Sequence, residues 1–199
     1  MGRSTPPAHR MSPWSEVSPG WVKGLRARPS PNFDQRPAAA AIDTLILHFI
    51  SLPPGVFHGD AVERLFCNRL RQTGAPWEQA LLGLKVSAHF VIRRRGETTQ
   101  YVSCDDRAWH AGPSTLLGRE RCNDFSIGIE LEGDGEHAFT DAQYRRLDQL
   151  TAMLCTRYPL SWVAGHSDIA PGRKFDPGPM FEWDRALSSP GFSGLRRPF

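Results

Sequence analysis

The sequence predicts a single α/β domain, and three stretches carry the prediction. "DTLILHFI", Asp43 to Ile50, is a continuous apolar run of strand length, the pattern of a central strand buried on both faces. "FSIGIELE", Phe125 to Glu132, alternates, with Ile127, Ile129 and Leu131 on one face and Gly128, Glu130 and Glu132 on the other. Thr140-Asp-Ala-Gln143 is a capping box that opens a helix whose apolar stripe runs through Tyr144, Leu147, Leu150, Thr151, Leu154 and Tyr158. A chain of 199 residues suits one domain of this kind. Its expected bounds are 21–188, with residues 1–20 as a flexible lead and 189–199 as a tail.

The other elements follow in chain order. Trp21 to Pro37 is proline-rich and aperiodic, which predicts an irregular wrap over the surface. "SLPPG" stops the first central strand just beyond His48, and this puts His48 near a strand's C-terminal end, where α/β proteins commonly build sites. Gly59 to Leu70 reads as a helix from the spacing of Val62, Leu65, Phe66 and Leu70. "SAHFVIRR" and "TTQYV", joined through Gly96, read as a hairpin. Pro159 ends the capped helix; "WVAGH" is a short strand delivering His166 into a charged, proline-rich loop, and "MFEWDRAL" is a last helix.

Composition removes several function classes. Hydrophobic residues at 40% and charged residues at 23% are ordinary for a globular protein, and no apolar run approaches the length of a spanning helix. The net charge of +3, from 24 basic and 21 acidic residues, is dispersed, so neither a nucleic-acid nor a membrane partner is expected. The four cysteines contain no CxxC pair and read as free thiols of a cytoplasmic protein. The polar, proline-rich N-terminus lacks the apolar core of a secretory signal.

Four positions near strand ends can carry chemistry: His48, Glu130, His166 and Asp176. A catalytic zinc takes three protein ligands and keeps one position open, and two histidines with one carboxylate meet that requirement. By spacing alone His89, His110 and Asp168 compete for the same roles. Glu130 stands in an otherwise apolar strand, so its carboxylate must be paired, solvated in a cleft or raised in pKa. Paired, it is a salt bridge to an arginine; raised, it is a general base. Lys174 can direct a positive charge at an oxyanion or be a solvated surface lysine. Arg119 and Arg121 can bind a substrate carboxylate, and Trp109 and His110 in "RAWHAG" can line a pocket or pack in the core.

In order, "LHFISLPPG", "VSAHFVIRR", "RAWHAG", "GRERCNDFSIGIELEG", "TDAQY" and "GHSDIAPGRK" with "DPGP" resemble the zinc N-acetylmuramoyl-L-alanine amidases of bacterial cell-wall recycling, from about Trp21 to Trp183. The resemblance implies a mixed β-sheet flanked by helices, shared with T7-type amidases and peptidoglycan recognition proteins, and makes 21–188 a zinc amidase domain. It implies Zn2+ on His48, His166 and Asp176, Glu130 as catalytic acid/base and Lys174 at the oxyanion, with Arg121 and Trp109 lining the substrate site. His89 is not a ligand in that family. Phe49 and Lys85 stand where the family usually has Asn and Arg, and Ser167 where it has Cys; Phe49 and Lys85 are thereby expected to alter how sugar or peptide is held. The implied activity is hydrolysis of the amide between 1,6-anhydro-N-acetylmuramoyl and L-alanine by a cytoplasmic monomer acting on small muropeptides, with a bearing on β-lactamase regulation. The alternatives are a wall-lytic amidase on polymeric peptidoglycan and a non-catalytic peptidoglycan-binding module. A serine hydrolase lacks its GxSxG.

Overall fold

In the computed structural model, which describes residues 16–71 and 73–198, the long apolar run becomes strand β3 (Thr44–Ile50), buried from Thr44 to His48. The strands preceding it are β1 (Arg26–Ala27) and β2 (Phe33–Gln35). Helices α1 (Ala61–Phe66) and α2 (Pro76–Gln79) lead to β4 (Phe90–Ile92), β5 (Thr98–Gln100) and β6 (Asp106–Ala108). Then come the small hairpin β7 (Thr115–Leu116) and β8 (Arg119–Glu120), the alternating strand β9 (Ser126–Glu132) and helix α3 (Asp141–Cys155). Strand β10 (Trp162–Gly165) runs directly into α4 (His166–Ile169), and α5 is Trp183–Leu187.

The main sheet has six strands in the order β1-β5-β4-β9-β3-β10. Its β4, β9, β3 and β10 are mutually parallel, while β5 turns back antiparallel on β4 through the expected hairpin. The predicted mixed sheet flanked by helices is therefore the fold. Register decides which side chains meet. His48 is paired with Glu130, and Leu47 with Gly165, so Glu130, His48 and the residue after Gly165, His166, stand side by side at one level of the sheet.

The alternation of β3 and β9 sorts the two faces. Leu45 and Leu47 join Ile127, Ile129 and Leu131 in a core closed by Leu147, Leu150 and Leu154 of α3. Burial of each such side chain stabilises the fold by about 1.5–3 kcal/mol. The capping box is present: the Thr140 hydroxyl accepts from the Gln143 amide at 3.1 Å, and the Thr140 amide donates to Gln143 Oε1 at 3.0 Å. The opposite face carries two smaller clusters. Val91, Ala88 and Tyr101 pack under Val62, Leu65 and Phe66 of α1, while Ile46 and Ala164 pack with Ala111, Leu116 and Phe125.

Several expectations need correction. Helix α1 is shorter than 59–70 because Asn68 turns left-handed, at φ 56°, where it exchanges side-chain amide bonds with Asn32. Helix α3 stops at Cys155, and Tyr158 is reached through a closing turn that still buries its ring. The lead expected over 1–20 lies partly outside the described residues, but within 16–20 Val17 and Gly20 are buried. Val17 is buried in the main core, and the Gln100 side chain donates to the Gly20 carbonyl while accepting from the Val22 amide. A side chain at Gly20 would meet Ser103 Oγ at 2.1 Å.

The expected tail, 189–199, is likewise part of the body as far as it is described. Phe192 is 1% exposed, Gly191 lies against the Asp148 carbonyl of α3, and Arg196 exchanges backbone bonds with Ser161 and Val163 beside β10. Phe192 and Leu195, in a short aperiodic segment, leave no pattern to read, yet both are buried in the main core.

Candidate metal centre and active site

Two strand ends and one loop converge. His48 comes from β3 and His166 from the first position of α4, directly after β10. Asp176 returns from the proline-rich loop, whose backbone is tied down by the Ser167 amide donating to the Asp176 carbonyl at 2.9 Å. The approach demands a glycine at 165, because a Cβ there would lie 2.6 Å from Pro177 Cδ.

His48 Nδ1, His166 Nδ1 and Asp176 Oδ2 form a triangle with sides of 3.0, 2.9 and 3.1 Å, and all three residues are buried. The outer nitrogens show what these atoms carry. His166 Nε2 lies 2.9 Å from the Ala111 carbonyl, which only accepts, so Nε2 carries a proton, and Nδ1 is the ring nitrogen left to serve as a ligand. His48 Nε2 lies 3.0 Å from His110 Nδ1. Burial pushes His48 down to about 4, the nearby His166 adding to it, so its imidazole is neutral at physiological pH. With Nδ1 unprotonated, imidazole lone pairs facing a carboxylate at this range are satisfied by a cation among them. The separations are close to the roughly 3.3 Å expected between nitrogen or oxygen donors around a small tetrahedral ion. Among the described residues these three form a group able to hold a metal ion.

Glu130 is buried beside this group, and its Oε2 has no hydrogen-bond partner. Among the described residues no arginine is paired with it; the salt bridge goes instead to Glu132, which accepts from Arg93 at 3.0 Å. Burial raises the Glu130 carboxyl well above the ordinary range and the charge of Asp176 raises it further, while Lys174 pulls the other way. Lys174 itself is exposed on the loop, its amide bonded to the Ala170 carbonyl. Arg173 fastens that loop by donating to the carbonyls of Ala111 and Pro113.

The residues that competed for the ligand roles are otherwise engaged. Asp168 accepts from the Gly165 amide and from Arg197. His89 accepts from the Gly128 amide through Nδ1, and its Nε2 faces the Asp106 carbonyl and Arg36. His110 lies behind His48, with its own Nδ1 toward the His48 ring.

The expected substrate contacts divide. Arg121 and Trp109 share the lining of a cavity of about 550 Å³, with Arg107, Asn123 and Ser114. There Trp109 Nε1 donates to Asp34, and Arg121, left-handed at φ 60°, holds a largely exposed guanidinium 3.3 Å from Asp124. Lys85 instead borders a different cavity, among Leu65, Leu70 and Leu82. Phe49, following His48, projects to the opposite face of β3, where its ring meets that of Phe175 at 5.3 Å. Strand alternation makes that unavoidable.

Sequence reasoning missed Arg36. It is half-buried and donates to the carbonyls of Cys104, Asn123, Asp124 and Ser126, pinning the entry to β9. An arginine in an aperiodic segment gives no local sign of such a role.

A family model described as N-acetylmuramoyl-L-alanine amidase matches residues 38–179. The chain is 51% identical over 175 residues to the 1,6-anhydro-N-acetylmuramyl-L-alanine amidase AmpD of Citrobacter freundii, covering 86% of this chain and 94% of that protein. Its fold superimposes on a crystal structure of a selenomethionine AmpD derivative with a TM-score of 0.84 at 49% identity, covering 86% of this chain and 97% of the other. The N-acetylmuramyl-L-alanine amidase AmiD of Escherichia coli, solved with the substrate anhydro-N-acetylmuramic acid-L-Ala-D-gamma-Glu-L-Lys, matches with a TM-score of 0.55 at 30% identity. That match covers 77% of this chain and 60% of AmiD.

Proposed function

Because this chain belongs to the N-acetylmuramoyl-L-alanine amidase family, we propose that it hydrolyses the amide joining 1,6-anhydro-N-acetylmuramic acid to L-alanine in small muropeptides, as a zinc enzyme of peptidoglycan recycling. The observation that carries the reading is Glu130: a buried carboxyl with an unpartnered oxygen, beside a cluster of three metal-competent donors. A purely structural glutamate would be paired; one placed to exchange a proton with a substrate would not.

His48 Nδ1, His166 Nδ1 and Asp176 Oδ2 would hold the zinc, since two imidazole nitrogens and one carboxylate suit that ion. When bound, it supplies Lewis acidity toward the scissile carbonyl and makes water nucleophilic near neutral pH. Glu130 accepts a proton from the attacking water as the oxygen adds to the lactyl carbonyl carbon. It returns that proton to the alanine nitrogen as the C–N bond breaks, and so ends in its starting state. Its raised pKa supports the second half of that exchange, because an easily protonated carboxyl is a competent acid. Lys174 offers its ammonium to the oxyanion, and Trp109 and Arg121 contact the peptide from their shared cavity.

The enzyme is further read as a cytoplasmic monomer acting on soluble fragments; no helix of the described residues is long and apolar enough to cross a membrane. The test is hydrolysis of anhydro-muramoyl tripeptide beside intact sacculi, before and after chelation and zinc add-back. Chelator-sensitive, zinc-restored cleavage of the soluble substrate alone is expected. Comparable cleavage of sacculi makes the enzyme wall-lytic, and binding without turnover in the zinc-loaded protein overturns catalysis.

A further inference from the structure

The two histidine donors are backed by consecutive residues of one segment. His110 Nδ1 lies 3.0 Å from His48 Nε2, and the carbonyl of the next residue, Ala111, lies 2.9 Å from His166 Nε2. Both backbone amides of this pair, His110 N at 3.2 Å and Ala111 N at 2.8 Å, donate to the same acceptor, Asn123 Oδ1. The His110 ring stands edge-on to that of His48, with centroids 5.1 Å apart. It occupies space that exists only because residue 128 is glycine: a Cβ there would be 2.5 Å from His110 Cγ.

The contact between His48 and His110 is compatible with two proton arrangements, and they differ in consequence. In one, His110 Nδ1–H donates to His48 Nε2, which leaves the His48 proton on Nδ1, pointing at Asp176 and blocking a metal. In the other, His48 Nε2–H donates to His110 Nδ1 and His48 Nδ1 is bare. The far end of His110 chooses between them. Ser126 Oγ donates its hydrogen to the Cys122 carbonyl at 2.6 Å, so toward His110 Nε2, 3.4 Å away, it presents only lone pairs. His110 therefore carries its proton on Nε2, its Nδ1 accepts, and the second arrangement follows.

We propose that His110 is a positioning residue that, oriented by Ser126, holds His48 in the tautomer able to bind a metal ion through Nδ1. The inference rests on the reading of His48, His166 and Asp176 as metal ligands, and it assigns to the His110–Ala111 pair the orientation of both imidazoles. Outer partners of metal-bound histidines are worth about 10–100-fold in metal affinity.

The experiment measures the zinc dissociation constant of the full chain by chelator competition for the parent, His110→Phe and His110→Asn. Phenylalanine keeps a ring without an acceptor; asparagine keeps an oxygen acceptor where Nδ1 stood. His110→Phe is expected to bind zinc about 10–100-fold more weakly, and His110→Asn to recover most of that loss. Equal affinity for parent and His110→Phe, or equal losses in both variants, overturns the proposal. Failure of the parent to bind zinc would instead overturn the ligand assignment. A second measurement needs no variant: in the zinc-loaded parent, labelled with 15N, the proton of this contact should show its one-bond coupling to His48 Nε2, and a one-bond coupling to His110 Nδ1 refutes the arrangement.

Discussion

His48 and Glu130 are register partners on adjacent parallel strands, one a metal-competent donor and the other a buried carboxyl with an unpartnered oxygen. In-register neighbours on parallel strands project to the same face, so the pairing of β3 with β9 sets this carboxyl beside the donor cluster without a loop having to deliver it. Glu130→Gln keeps the shape and removes the base. Turnover should fall by about 10²–10⁴-fold while metal content, read by elemental analysis, stays at the parental level. Near-parental turnover would remove Glu130 from the mechanism.

Gly165 is where the ligand loop touches β10. Gly165→Ala places a methyl against the Pro177 ring, and the loop carrying Asp176 must shift. Overpacking of this kind costs about 1–3 kcal/mol. A lowered Tm together with weaker metal binding is expected, and an unchanged metal dissociation constant would show that the loop yields without moving Asp176.

The acid limb of stability should carry a contribution from Asp34. The side-chain bond from Arg107 holds its carboxyl below the ordinary range, with a further bond from Trp109. A depressed folded pKa adds stability that is present above the unfolded value, about 4, and is lost as pH falls through the folded value. Asp34 is partly exposed, so salt should screen the effect. Thermal melts from pH 7 to pH 3 at low salt should fall less steeply for Asp34→Asn than for the parent; parallel curves would mean the pair contributes nothing.

Phe192 tests whether the C-terminal segment belongs to the domain. Its ring is buried in the core beside α3, and removal of a buried phenylalanine costs about 3–5 kcal/mol. Urea unfolding of Phe192→Ala should show a loss of that order with an unchanged active-site metal affinity. A loss under about 0.5 kcal/mol would return the segment to the status of a tail.

The local features were legible in the chain itself. The unbroken apolar run of β3, the alternation of β9 and the capping box of α3 are each written in a few consecutive residues, because strand and helix periodicity are properties of neighbours. The same local reading singled out Glu130 as a charge out of place. Spacing alone, however, could not choose among His48, His89, His110, His166, Asp168 and Asp176, and the resemblance to a known family is what selected three of them.

Tertiary structure made the remaining decisions. Parallel pairing of β3 with β9 and β10 brings together residues 118 positions apart, His48 and His166, and no window along the chain contains both. Lys85 borders a cavity other than the one Trp109 and Arg121 share, which only the tertiary structure decides, whereas the turn of Phe49 to the far face of β3 follows from strand alternation. The burial of Val17 and Phe192 and the hydrogen bonds of Arg36 depend on partners distant in sequence. Sequence by itself determined which segments become strands and helices and which face of each is apolar. The long-range pairing of those faces decided which histidines meet and what stands behind them, because burial and hydrogen bonding are satisfied only once the strands have chosen their neighbours.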